Sequence, residues 1–283
     1  MESARRASRF GVPCLWVALG SALMFAVLAL VGYISARAAA LGSLPLFVTL
    51  AVGVAIPTSG VFARPLLRAR TGRHELALTF DDGPDSTWTL ALLDLLEARQ
   101  QRATFFVIGD RAAKHPDLLR EMARRGHEIA NHSWSHSFLT VFYSPRFLAR
   151  ELERTNATIE QATGVRPSWF RPPVGLLSPR IPLGSKLAGL ELVHWSATAR
   201  DGIQRTTVAQ ALARLQPALA AGAILVMHDA RLTGTGAPIA CAVVSQLLDH
   251  MDRVGLVSVT LTELFAGPAA PVGVASPQQV TRA

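Results

Sequence analysis

The sequence predicts an α/β protein: a compact (β/α) barrel of seven or eight units, closed or incomplete, preceded by one or two transmembrane helices. Three observations carry this expectation. Two uncharged apolar stretches fill the N-terminal quarter. From about Thr71 onward, short apolar runs alternate with segments of helical spacing, the pattern of βα units on a parallel sheet. Where the first of those runs ends, Asp81 and Asp82 stand side by side before the breaker Gly83-Pro84. In α/β folds the chemistry gathers at such strand ends.

Composition narrows the function class. Of the 283 residues 50% are hydrophobic and only 17% are charged, and the mean hydropathy is +0.29. A soluble domain of this size is rarely so apolar, so part of the chain is expected in lipid. The formal net charge is +8, but aromatic residues are 7% and form no basic stripe with interleaved rings, so nucleic acid is not an expected partner. Much of the arginine excess instead flanks the apolar stretches, where it reads as membrane topology. The two cysteines, Cys14 and Cys241, provide neither a disulfide framework nor metal-ligand spacing.

The first uncharged run extends from Phe10 to Ala36, and Leu15 to Ile34 is almost wholly apolar. That meets the roughly 20 residues needed to cross a bilayer as a helix. The second, Ala38 to Ala63, is interrupted by Gly42, Pro45 and Gly53, which membrane helices tolerate. Residues 1–70 are thus expected to form a membrane region with helices near 12–35 and 39–57. Ala36-Arg37-Ala38 has the form of a signal cleavage site, although the apolar run before it is long for a signal peptide. With two spans, Arg5, Arg6 and Arg9 precede the first, and Arg64, Arg68, Arg70 and Arg73 follow the second. Only Arg37 lies between, so both ends are expected at the cytoplasmic face of a bacterial-type inner membrane. With a single span the rest of the chain lies on the periplasmic or extracellular side.

Residues 71–266 are read as one catalytic domain. Glu75 to Phe80 is its first strand, and Ser86 or Thr87 is the expected cap of a helix through Leu96. Ala103 to Val107 is the second strand, and Pro116 to Arg125 a helix ended by Gly126. His127 to Ala130 is a third strand, running into Asn131-His132-Ser133-Trp134-Ser135-His136. Ser144-Pro145 starts a helix that should reach Ala162 and stop at Gly164. Further strands are expected at Ser168 to Phe170, Leu192 to Ser196, Ala223 to His228 and Val257 to Thr260. Helices near Val208 to Leu215 and Pro238 to Met251 separate the last three. Residues 267–283, rich in Pro, Ala, Gly and Gln, are expected to be disordered.

Asp-Asp-Gly-Pro alone reads as an Asx-turn, and a lone His-x-x-x-His is as readily a matter of packing. Together they point further. His132 and His136, four apart, share a face on a helical turn and can grip one cation. With Asp82 they make two imidazoles and a carboxylate, a set that leaves coordination positions open, as a catalytic site needs. His74, His115, His127, His194 and His250 belong to no such constellation.

Four segments now stand in order: Thr79 to Pro84, His132 to His136, Arg171-Pro172-Pro173-Val174-Gly175 and Leu225-Val226-Met227-His228. In this order they resemble the polysaccharide deacetylase family, the NodB-homology domain, over roughly Arg73 to Phe265. The resemblance implies a distorted (β/α) barrel and metal-dependent removal of an N- or O-acyl group from a sugar. It implies Asp82, His132 and His136 as metal ligands, Asp81 as general base and Arg171 as the residue that orients it. It implies His228 as general acid, tuned by Asp201, and a pocket near Val174 and Trp195, with the Val174 N–H facing the oxyanion. Zinc is the default ion, though cobalt, nickel or manganese suit the same donors. The expected partners are an acylated sugar, glycan or lipid-linked saccharide, and membrane lipid.

The chain also departs from the family pattern. Thr198 and Gly202 stand where an aspartate and a tryptophan are usual, and Val174 where many members have an aromatic residue. Less aromatic surface puts the usual chitin, xylan or peptidoglycan substrates in doubt. An inactive sugar-binding or scaffold domain is the rival from another class, and it has no need of a base, an acid and a metal site together.

Overall fold

The structure is a computed structural model that describes residues 11–56, 59–202, 206–230 and 239–266, with the backbone alone for 11–16. Arg5, Arg6, Arg9, Pro238 and the tail from 267 lie outside the described residues.

Two helices, α1 (Gly11–Leu30) and α2 (Ala36–Ala55), pack on each other as a hairpin. The first is shorter than the expected 12–35 and the second begins earlier than the expected 39–57, because Val31 to Ser35 form the turn between them. Gly42 lets the two approach closely, since a Cβ there would meet the Phe25 ring. Pro45 lies inside α2, which among the described residues is long and apolar enough to cross a membrane by length and composition.

The rest is a curled parallel sheet wrapped by helices. Its elements are β1 (Glu75–Asp81), α3 (Trp88–Ala98), β2 (Ala103–Val107), α4 (Gly109–Lys114), α5 (Pro116–Arg124), β3 (Glu128–Asn131) and α6 (Pro145–Thr163). There follow β4 (Trp169–Phe170), α7 (Arg180–Leu187), β5 (Glu191–Leu192), β6 (Ala197–Thr198), α8 (Val208–Leu215), β7 (Ile224–His228), α9 (Ala240–Val254), β8 (Val257–Ser258) and α10 (Leu261–Phe265). The strand order is β5-β4-β3-β2-β1-β7-β6, with β8 also paired to β1. Every pairing of these strands among the described residues is parallel.

The alternation along β1 sets the interior. Leu76, Leu78 and Phe80 face the outer core with Leu92, Leu93 and Leu96 of α3 and Val244 and Leu248 of α9. Each such burial contributes roughly 1.5–3 kcal/mol. Ala77 instead joins Phe106, Ala130 and Ile224 inside the barrel. Period two therefore aims Thr79 and Asp81 into that interior as well. Register aligns Asp81 with Phe106 of β2 and His228 of β7, so three adjacent strands end level with one another.

Among the described residues the sheet does not close by direct pairing of its ends. A single strand was expected over Leu192 to Ser196, but the chain there leaves β4 and crosses to β7, which yields two short strands, β5 and β6. Leu66 fills the seam: its N–H donates to Leu192 O at 3.0 Å, and His194 N–H donates to Leu66 O at 2.8 Å. The expected cap of α3 also differs. Thr87 makes no side-chain capping bond, and Asp85 Oδ1 accepts the N–H groups of Thr87 and Trp88, both at 2.9 Å. Ser144 and Gly164 bound α6 as expected, the first accepting from Phe147 N–H and the second in the left-handed region.

Candidate metal centre

The site forms at the carboxyl ends of β1, β3 and β7 and in the loop after β4. His132 and His136 are not on a helical turn. They lie on an irregular loop after β3 in which Ser133 (φ 67) and His136 (φ 49) take left-handed conformations, as does Asp82 (φ 77) after β1. Left-handed non-glycine residues cost energy and persist where surroundings over-determine them. Here Asn131, wholly buried, does this. Its Oδ1 accepts Ser133 N–H at 2.8 Å, and its Nδ2 donates to Leu152 O and Asn156 Oδ1 of α6, each at 2.8 Å. Ser133 Oγ in turn accepts His136 N–H at 3.2 Å.

The result brings Asp82, His132 and His136 together. Asp82 Oδ1 lies 3.4 Å from His132 Nε2 and 3.2 Å from His136 Nε2, and the three donor atoms are mutually within 4.8 Å. All three residues are buried, and Asp82 Oδ1 has no hydrogen-bond partner. An unpartnered buried carboxylate oxygen between two imidazole nitrogens fits a divalent cation. His132 Nδ1 is 2.7 Å from Arg171 O, which leaves Nε2 to face the cluster, the outer contact typical of metal-binding histidines. Burial pushes the Asp82 carboxyl up, but His132, His228 and His136 together outweigh it and hold it low. Burial, aided by His132, pushes His136 down to about 4, so its ring is neutral and available as a ligand at ordinary pH.

Asp81 lies beside this trio rather than within it, its Oδ2 4.0 Å from His132 Nε2. Its Oδ1 accepts from Arg171 Nη1 at 2.6 Å. Arg171 is wholly buried: Nη1 also donates to Thr79 Oγ1 (2.8 Å) and Nη2 to His194 O (2.9 Å), while the guanidinium lies 4.0 Å over the Phe106 ring. Burial pulls its pKa down and Asp81 opposes this. Across the cavity, His228 Nδ1 meets Asp201 Oδ1 at 2.7 Å, and its backbone N–H donates to Asp201 Oδ2 at 3.0 Å. Its Nε2 is free to face Asp82, 4.0 Å away. Burial lowers the His228 pKa, yet Asp201, helped by Asp82 and Asp81, wins and raises it to about 9. Val174 sits in a short 3-10 turn at φ 57, 54% exposed at the rim, and the Trp195 ring packs where a Gly175 side chain would be. Gly202 lies against His228, since a Cβ there would be 3.2 Å from Cε1.

Sequence reasoning passed over Thr79, Asn131 and Asp229. Thr79 was legible by period two from Asp81. Asp229 follows His228 at a strand end, as Asp82 does on β1. It is wholly buried and accepts from Thr89 Oγ1 at 2.5 Å, and burial raises its pKa to about 7 against the pull of Thr89.

The polysaccharide deacetylase family profile matches residues 68–193. A chitooligosaccharide deacetylase from Sinorhizobium fredii is 38% identical over 175 residues, 59% of this chain and 78% of that protein. The peptidoglycan-N-acetylglucosamine deacetylase PgdA of Listeria monocytogenes is 30% identical over 198 residues, 70% of this chain but only 40% of that longer protein. Among solved structures, a family 4 acetyl xylan esterase from Clostridium thermocellum in complex with a cobalt ion superposes with a TM-score of 0.61 at 35% identity, covering 68% of this chain and 90% of that one. Fold, order of motifs and relatives agree: the chain belongs to the polysaccharide deacetylase family, hydrolases of the carbon–nitrogen bond of N-acetyl groups.

Proposed function

We propose that this protein is a membrane-anchored, divalent-metal-dependent deacetylase that removes an N-acetyl group from a sugar carried on a lipid or glycan. The observation that carries the reading is the pairing across one cavity of an Arg171-held carboxylate, Asp81, with an Asp201-held imidazole, His228, around the trio Asp82, His132 and His136. The trio would hold the ion, zinc by default, and a bound ion would supply an acidified water and polarise the acyl carbonyl.

The chain's own groups divide the remaining work. Asp81, fixed through Oδ1 by Arg171, keeps Oδ2 turned to the cavity as the atom that takes a proton. The Val174 N–H, at the free end of its turn, supports the developing oxyanion. His228 holds a proton on Nε2 at neutral pH, as protonating a departing amine requires, because an amine anion is a very poor leaving group. Each positioned acid or base contributes about 10²–10⁴-fold.

The anchor reading rests on the apolar helix Ala36–Ala55 and its packing with α1. Arginines on both outer flanks of the hairpin favour a cytoplasmic catalytic domain, so that a lipid-linked sugar at the inner leaflet is the natural substrate. A periplasmic placement, acting on peptidoglycan or exported polysaccharide, is the second reading, favoured by likeness to the Listeria enzyme. Acetate release by the full-length protein, assayed on lipid-linked and polymeric acetylated glycans, tests the chemistry. A C-terminal reporter active only in the periplasm would refute the cytoplasmic placement. No turnover on any acetylated glycan would leave the scaffold reading.

A further inference from the structure

One face of the catalytic domain carries apolar side chains that the fold does not bury. Phe138, Leu139 and Phe142 form a 3-10 turn just after His136 and are 62%, 62% and 70% exposed. Leu183 and Leu187 project from α7 beside them, 55% and 63% exposed. These pieces are contiguous. Arg180 Nη1 donates to Phe142 O at 2.8 Å, and a groove of about 650 Å³ runs between the start of α6 and α7, lined by Ser144, Pro145, Arg146, Leu183, Lys186 and Leu187. Large exposed apolar patches on a folded domain mark contact surfaces.

Two observations identify the occupant. First, the patch is continuous with the anchor: the N–H of Leu177, two residues past Gly175, donates to Val54 O at the end of α2, at 3.2 Å. Phe62 and Ala63 pack into the same small core as Leu177 and Ile181, and Gly53 lets Phe62 lie close against α2. The end of the membrane helix is thus fixed beside the loop that presents Val174. Second, the charge is one-sided. Residues 137–150 and 172–190 contain Arg146, Arg150, Arg180 and Lys186, all exposed, and no Asp or Glu, the first acids beyond them being Glu151 and Glu191. Apolar residues fringed by cations suit a surface of anionic phospholipid.

We infer that this face is a lipid-docking surface that seats the mouth of the site on the anionic leaflet into which α2 is inserted. The inference rests on the anchor reading and adds to it. The site then opens at headgroup level, where His136 and its neighbour Phe138, with ring centroids 6.1 Å apart, face substrates held in the membrane. Soluble oligosaccharides would have to enter from the side.

The test uses the full chain with Cys14 and Cys241 replaced by alanine, reconstituted in phosphatidylcholine–phosphatidylglycerol vesicles containing doxyl-labelled lipid. Single cysteines carrying an environment-sensitive fluorophore are placed by Phe142→Cys, Leu187→Cys, Val48→Cys on α2 and Arg253→Cys on the distant α9. Docking predicts that the labels at positions 48, 142 and 187 lose emission to the doxyl lipid and that at 253 does not. It also predicts that Arg146→Glu with Lys186→Glu restores emission at 142 without changing that at 48. If 48 is quenched while 142 and 187 behave as 253 does, the docking surface is wrong and the anchor stands. If 48 is not quenched, the anchor reading fails and docking with it. A blue-shifted label at 142 that doxyl lipid does not quench means that protein covers the face, which also overturns the proposal.

Discussion

Replacing Arg171 with methionine separates what the site needs for folding from what it needs for chemistry. Arg171 is wholly buried and supplies hydrogen bonds to Asp81 Oδ1, Thr79 Oγ1 and His194 O at 2.6, 2.8 and 2.9 Å. Methionine removes the guanidinium over Phe106 while filling part of its volume, and leaves the Asp81 carboxylate buried and unpaired. Breaking such a pair from one side costs about 3–5 kcal/mol. For a domain of this size that is a fall in Tm of roughly 6–20 °C, at about 2–4 °C per kcal/mol. Turnover should fall about 10²–10⁴-fold as the Asp81 carboxylate loses its orientation. The informative partner is Arg171→Met with Asp81→Leu. Removing both charges abolishes the uncompensated burial, so part of the lost stability returns. The orphaned His194 carbonyl keeps about 1–3 kcal/mol of the loss in place, and turnover stays absent. Thermal melts by circular dichroism and acetate release on the full-length protein read the two quantities. A double variant no more stable than Arg171→Met would show that the ion pair is not what couples these residues. Full turnover in the single variant would show that Asp81 needs no orientation.

Three further outcomes follow from the same geometry. Asp201→Asn removes the main support of the raised His228 pKa, so the alkaline limb of the rate profile should move down towards about 6.5 from a wild-type position below about 9, since a cation at Asp82 offsets part of that carboxylate's pull. The stability linked to His228 has the same sign: a raised folded pKa favours folding below about 6.5, and this is lost as pH rises through about 9. An unchanged alkaline limb in Asp201→Asn would contradict the pairing. Asn131→Leu orphans the Ser133 N–H and the buried Asn156 Oδ1 at about 1–3 kcal/mol each, and should weaken metal affinity measured by competition with a chelator. Gly175→Ala forces a side chain into a left-handed position (φ 70) and against the Trp195 ring, so it should destabilise by at least about 1–2 kcal/mol in denaturant titration.

How much was legible in the sequence depended on how local each signal was. β2 and α8 matched their expected bounds, because uninterrupted apolar or amphipathic runs lie between clear breakers. α7 went unread because Pro182 and Gly184 break its pattern. Yet proline in the first turn sacrifices an N–H without a helical partner, and Gly184 is the point where Leu148 of α6 presses in. The His-x-x-x-His spacing brought two rings together but not by helical geometry. The left-handed Ser133 and the buried Asn131 do that, and neither has a local signature. The Arg171–Asp81 contact spans 90 residues, and the resemblance foretold it where pattern did not. No pattern in the sequence marks Phe142 and Leu187 as exposed, and the fold alone shows them so.

The central claim is that Asp82, His132 and His136 hold one ion that the reaction needs. The most direct test is metal content by mass spectrometry of the purified full-length protein, beside acetate release, for wild type and for Asp82→Asn, His132→Gln and His136→Gln. The account predicts one divalent ion per chain in the wild type, its loss in each variant, and loss of turnover in parallel. Turnover in the wild type that survives complete removal of the ion, or an ion retained at full occupancy in all three variants, would contradict it.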